Sequence, residues 1–308
     1  MVDFRYHIVS IVAVFLALGI GLLMGSGVLG DPLLDNIRER ARDVQDFNNR
    51  LKSDVGDLED ELTVARRFTE AVEPMLVEDR LTGQDVVLVD FAASELPLDT
   101  LVETLEDRAG ATVAAIVSVT DDIALAAEED VEELRTLTGS PAAEPDELRV
   151  EAARQLGERL GALAAGRRSQ RGEVFLGSLE EAGFVDVAEE DEDAAIPAGA
   201  RFVLVASGAG EPPYPVEDVV AGVAEGLAAF PVAAVGVEAA GGTWGAARAV
   251  RDDGDLSNAL GTVDNVDKLS GRIALVMALG RVGGEEPGHF GEKTEASGGV
   301  IPEPGLRD

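Results

Sequence analysis

Hydrophobic and polar positions change their rhythm twice along this chain. Residues 8–29 form a run of 22 positions without a charged side chain. As a helix rising about 1.5 Å per residue they span about 33 Å, enough to cross a hydrocarbon core of about 30 Å. The pattern predicts a transmembrane helix. A cleaved signal peptide is the alternative reading, with Gly25, Ser26 and Gly27 resembling a cleavage site. Its apolar part usually runs only about 7–15 residues, and here Arg5 is the lone basic side chain before the run. Ala17, Gly21 and Gly25 recur every fourth residue. That spacing puts them on one helix face, where two backbones can approach closely.

From Leu34 the apolar positions step by three and four through Ile37, Ala41, Val44, Leu51, Val55, Leu58, Leu62, Ala65 and Val72, with Asn48 and Thr69 in phase. This strict two-in-seven seam predicts a parallel coiled-coil homodimer, since a helix lying on a globular domain carries a wider apolar face. Asn48 takes an a position, where paired amides fix register at some cost in stability. The flanks are mixed: Glu61 meets Arg66 of a partner, whereas Asp54 faces Glu59. Pro74 is expected to end the helix.

Beyond Gly83 short β-rich runs alternate with helical stretches. Strands are predicted over 86–91, 113–119, 202–206 and 232–237. They form two similar strand–helix–strand units, 85–119 and 201–237, with residues 101–105 and 219–227 in the helices. Further helices are expected over 121–137, 146–163, 176–182 and 266–279. The fold class is α/β: a Rossmann-like domain of βαβ units with a mainly parallel sheet. The expected domains are an anchor over 1–30, a stalk over 31–82, the α/β domain over 83–281 and a disordered Gly/Pro/Glu-rich tail over 282–308.

Charge and composition narrow the chemistry. Against 25 Lys and Arg stand 59 Asp and Glu, a net charge of -34. Such a surface repels phosphate backbones, which argues against nucleic acid. A solubility device or a salt-rich habitat explains the excess more simply than a specific cationic ligand does. There is no Cys and there are only two His, His7 and His289. That excludes thiol chemistry and leaves no His triad or His zinc site in the central domain. The glycine-containing turn Ser207, Gly208, Ala209, Gly210 runs into Glu211, Pro212 and Pro213, an acid and missing amides where a phosphate needs donors. Asp121 and Asp122, and Asp252, Asp253 and Asp255, fit no EF-hand spacing, and helix capping accounts for the first pair. No catalytic residue, cofactor site or metal site is assigned. An enzyme acting on cell-wall material through carboxylates such as Asp90 is the minority reading.

Both ends of the chain carry a resemblance. Phe4, Arg5, Tyr6, His7, Ile8, Val9 and Ser10 lead into the apolar run up to Gly21, followed by Gly25, Ser26 and Gly27. Near the other end stand Val263, Asp264, Asn265, Val266 and Asp267, then Gly271, Ala274, Leu275 and Leu279, then Gly288, His289, Phe290 and Gly291. In this order they resemble the actinobacterial MctB-type copper transport family. The resemblance implies an envelope protein of copper export or homeostasis, in a family described as forming an outer-membrane channel. The residues themselves offer copper only two His and four Met (Met1, Met24, Met75 and Met277). A long apolar helix and βαβ units are the opposite of a barrel signature.

The expectation drawn from the residues is a single-pass, coiled-coil dimeric envelope scaffold that presents its domain to other envelope proteins, with copper transport acting directly on the metal as the alternative. The domain is expected outside the cytoplasm, because a short N-terminal segment suits a signal anchor. Arg38, Arg40 and Arg42 on the C-terminal flank favour the reverse orientation.

Overall fold

The computed structural model describes residues 4–27, 30–91, 94–142, 144–167, 170–189, 196–281 and 287–302. The chain divides into two compact units, Met1–Arg67 and Phe68–Asp308. In the first, the uncharged run forms helix α1 (Phe4–Gly27), and α2 (Gly30–Val77) carries the heptads. Pro74 does not end α2 as expected. The helix runs on to Val77, and Glu78 N–H donates to the Pro74 carbonyl at 2.9 Å. Proline removes one N–H but leaves its own carbonyl able to accept, so one more turn survives. The end of α2 belongs with the second unit, and the boundary expected at 82/83 falls inside it. Val77 and Leu81 are buried, and the equally buried Glu73 pairs with Arg108 at 2.7 Å.

The second unit is α/β. Its elements are β1 (Asp85–Phe91), α3 (Leu98–Glu103) continued by a π turn (Thr104–Arg108), β2 (Thr112–Val119) and a 3₁₀ turn (Asp121–Ala124). Next come α4 (Glu128–Thr138), α5 (Pro145–Ala164), α6 (Gln170–Glu181), β3 (Val185–Glu189), β4 (Arg201–Val205) and β5 (Ser207–Gly208). Then follow α7 (Val216–Ala228), β6 (Ala234–Val237), β7 (Trp244–Gly245), α8 (Ala246–Asp252), α9 (Gly254–Ala259), β8 (Gly261–Val263), α10 (Leu269–Arg281) and β9 (His289–Phe290). Seven strands form one sheet in the order β3-β2-β1-β4-β6-β8-β9, parallel except for β3, while β5 and β7 make a small antiparallel pair. The order runs outward in both directions from the central β1/β4 pair, as in doubly wound sheets.

Side chains alternate across the sheet. Val87, Val89 and Phe91 join Phe202 and Leu204 in a core roofed by α5 and α7, and Val86 and Leu88 join Val203 and Val205 in a second core with α10. Burial on both faces explains why these strands read as unbroken apolar runs. Helices α5 and α7 meet backbone to backbone: a Cβ on Gly222 would sit 2.8 Å from the Val150 carbonyl oxygen, and one on Gly157 or Gly226 would overlap main-chain atoms of the facing helix.

Several elements lie outside the sequence expectation. The last helix starts at Leu269 rather than 266, and α8, α9, β3, β8 and β9 were not anticipated. The tail is not structureless over 287–302. His289–Phe290 is the seventh strand, Phe290 is buried, and Gly298 N–H donates to the His289 carbonyl at 2.8 Å. The rest of the expected tail, 282–286 and 303–308, lies outside the described residues. One of the two acidic clusters serves as a local cap. Asp253 accepts from the N–H groups of Asp255 and Leu256 at 2.8 and 2.9 Å, opening α9. At the other cluster Thr120, not an aspartate, accepts from Asp122 N–H.

Candidate functional site

Parallel strands deliver their carboxyl ends to one edge, where α/β proteins place ligands, and the point at which strand order reverses is the usual crevice. Here that edge is acidic. Asp90 lies at the penultimate position of β1, opposite Val205 of β4 and Ser118 of β2. Glu238 follows β6 and Asp264 follows β8.

Two of the three carboxylates are neutralised within the fold. Asp264 is fully buried and accepts from Arg251 Nη1 at 2.6 Å and from Glu292 N–H at 2.7 Å. The same guanidinium donates to Thr262 Oγ1 at 2.7 Å and to the Phe290 carbonyl at 2.9 Å. Glu238 is 1% exposed and pairs with Lys293 Nζ, which also donates to the Gly242 carbonyl at 2.8 Å. Gly291, at φ 142°, leaves no space for a Cβ against the Asp264 carboxyl. These contacts pin residues 288–293 across the sheet edge, and they give Asp264 and His289 of the resemblance motifs a structural role. Both ring nitrogens of His289 are engaged, Nδ1 with Thr262 Oγ1 and Nε2 with the Ser257 carbonyl, each at 3.0 Å. Burial and the Arg251 charge push its pKa down.

Asp90 differs. Among the described residues its buried Oδ1 has no hydrogen-bond partner, and burial pushes its carboxyl up to about 6, partly offset by the Phe91 backbone. Nearby Tyr214 is buried with its hydroxyl unpaired among the described residues. Burial raises its pKa first, and the negative charges of Asp121 and Asp90 add to the rise. The turn after β4 has a packing explanation rather than a phosphate-binding one: the Trp244 indole lies against Gly208, where a Cβ would meet its ring. A groove of about 650 Å³ lies elsewhere, between Thr138, Arg154, Phe175 and Phe230, and Arg154 there is tied to Glu151 and Glu158.

No group of three or more His, Cys, Asp or Glu among the described residues is arranged to hold a metal ion. Of the other donors, Met277 is buried in the second core at 3% exposure, whereas Met24 and Met75 are 69% and 81% exposed. The residues expected at helix interfaces all lie on α1 and α2. Ala17, Gly21 and Gly25 line α1, where a Cβ on either glycine would meet nothing within 4 Å. Ile37, Val44, Asn48, Leu51, Val55, Leu58 and Leu62 are exposed along α2; Leu34 is in α2 with its side chain outside the described residues. Phe47 and Phe68, each just before an a position, are exposed as well and broaden the seam. Sequence reasoning passed them over because it counted only a and d positions.

The apolar part of α1 that meets the requirements of a membrane span is Arg5–Gly25, 21 residues and unburied by the rest of the chain. Comparison with known proteins adds the lineage. Residues 1–301 match the family model described as copper transport outer membrane protein, MctB. The chain is 31% identical over 312 residues to proteins named copper transporter MctB from Mycobacterium bovis and Mycobacterium tuberculosis, covering 94% of this chain and 96% of each relative. It is 30% identical over 322 residues to the Mycobacterium leprae protein of that name, covering 98% of this chain and all of the relative. With an apolar N-terminal helix, a long heptad helix and an α/β unit matched from end to end, this chain belongs to the MctB copper transport family.

Proposed function

We propose that this chain is a copper transport component of the cell envelope, held in the membrane by α1 and paired with a second copy along α2. The observation that carries this reading is the end-to-end family match, over residues 1–301, with relatives named copper transporters. The expectation of a non-catalytic scaffold gives way to its alternative, because these relatives are named for transport and none for assembly.

The exposed seam of α2 supports pairing: its apolar a and d side chains are covered when two such helices lie in register, with Asn48 meeting Asn48. Among the described residues one helix, α1, is long and apolar enough to cross a membrane, which supports helical anchoring. The sheet is open, with β3 and β9 at its edges and cores on both faces, which is unlike a closed barrel around a polar lumen. The family's outer-membrane description favours an α/β unit outside the cytoplasm.

The test is copper tolerance. A strain lacking this chain, compared with the same strain carrying it again, is expected to change its growth in graded copper and to leave its response to zinc unaltered. Equal growth of the two strains across the copper series overturns the reading.

A further inference from the structure

If copper is the cargo, the chain must meet it with few suitable groups, and the structure reduces their number. Thioether and imidazole are the donors that suit copper here, since thiolate is absent. His289 has both ring nitrogens engaged, and Met277 is packed in the core. Among the described residues that leaves Met75 near the end of α2, and His7 and Met24 on the apolar helix α1.

The phase of those last two is not arbitrary. His7, Ser10, Val14, Ala17, Gly21 and Met24 step by three, four, three, four and three. At about 100° per residue they fall in one stripe about 100° wide, with Gly25 at its margin. Ser10 is the only polar side chain between residues 8 and 25. Large apolar residues such as Ile8, Phe15, Leu16, Leu22 and Leu23 take the other faces, and Ala13 and Gly19 are the small residues outside the stripe. A hydroxyl and a row of small residues are poor surfaces for lipid but good ones for a second helix, which can approach the backbone closely and share the hydrogen bond. The spacing is the same a/d spacing that runs along α2.

Two parallel copies meeting on this face bring like residues together around a twofold axis. His7 then opposes His7 and Met24 opposes Met24, giving one layer of two imidazoles and one of two thioethers, each a two-donor set suited to copper(I). Seventeen residues separate the layers, about 25 Å along the helix, so they lie toward the two sides of a core about 30 Å thick. The small residues between them close the helices together, which makes the layers separate stations. We propose that paired α1 helices bind copper(I) at these two layers, through His7 at one end and Met24 at the other. This rests on the copper-transport reading and names the groups that would touch the metal.

The test uses the full chain in detergent micelles under anaerobic conditions, titrated with copper(I) against a competing chromogenic chelator. The wild type is expected to take one copper(I) per chain, with His7→Leu and Met24→Leu each halving this, the double variant abolishing it and Met75→Leu leaving it unchanged. X-ray absorption of Met24→Leu is expected to show nitrogen ligands only, and that of His7→Leu sulfur only. Circular dichroism checks that each variant stays helical. Gly21→Leu, which props the helices apart, is expected to lose binding while the chain remains soluble in the micelle. Undiminished binding by the double variant, or full binding by Gly21→Leu, overturns the proposal. The two readings fail separately: copper tolerance that depends on the chain but not on His7 and Met24 removes only this inference, while tolerance independent of the chain removes the transport reading.

Discussion

At the scale of single residues, the charges at the sheet edge determine how the α/β unit responds to pH. A carboxyl whose folded pKa lies above its unfolded value favours the fold while protonated, and that stability is lost as pH rises through the folded value. Asp90, pushed up to about 6 by burial, is therefore a cost at neutral pH and neutral in effect in acid. Asp90→Asn is expected to stabilise the chain by about 1 kcal/mol at pH 7.5, after discounting for its partial exposure, and by far less at pH 4. Urea midpoints at both pH values check this, and an equal shift at both would place the effect in packing. Gly226 makes the opposite case: Gly226→Ala drives a methyl into the α5 backbone, with an expected loss of about 3 kcal/mol in the same assay. Neither cost was legible from sequence. Asp90 reads as the polar member of an apolar strand, and glycines in α5 and α7 read as weak helix positions until the two backbones are seen to touch.

Among the elements, those with long uniform patterns were readable, whereas those completed by distant partners were not. Residues 86–91 and 202–206 announce buried parallel strands because both faces are covered, and the heptads of α2 follow from spacing alone. By contrast β8 has three residues and β9 two, too short for any periodicity, and β9 is held by Arg251, thirty-nine positions earlier in the chain. The Gly/Pro/Glu composition of 282–308 suggested disorder because it could not register that hydrogen bond. Arg251→Met strands the Asp264 carboxylate in the interior and is expected to cost about 3–5 kcal/mol. It also frees residues 287–302, so trypsin should cut at Lys293 in the variant under native conditions but not in the wild type. On α2, Asn48→Leu is expected to raise the thermal midpoint of the paired helices while relaxing their register. Sedimentation equilibrium should then show species larger than a dimer, and an unchanged mass distribution would remove Asn48 from the role of specifying the pair.

At the scale of the whole molecule, the apolar N-terminal helix, the heptad helix and the α/β class were legible, and family membership was foreshadowed by the motifs at both ends. The function was harder to read because the sequence offers copper no thiolate and no histidine cluster. The donors that remain are single residues whose meaning depends on a second copy. An acidic surface and a sheet edge with two of its three carboxylates neutralised look like a scaffold when viewed on one chain. The end-to-end match with transporters changes that view, and the paired-helix arrangement offers a way for so few donors to serve.

The most direct measurement is the copper content per cell, at fixed external copper, of a strain lacking this chain and of the same strain with it restored. The account predicts a reproducible difference in copper, reversed on restoration and absent for zinc. Identical copper content in the two strains would contradict it.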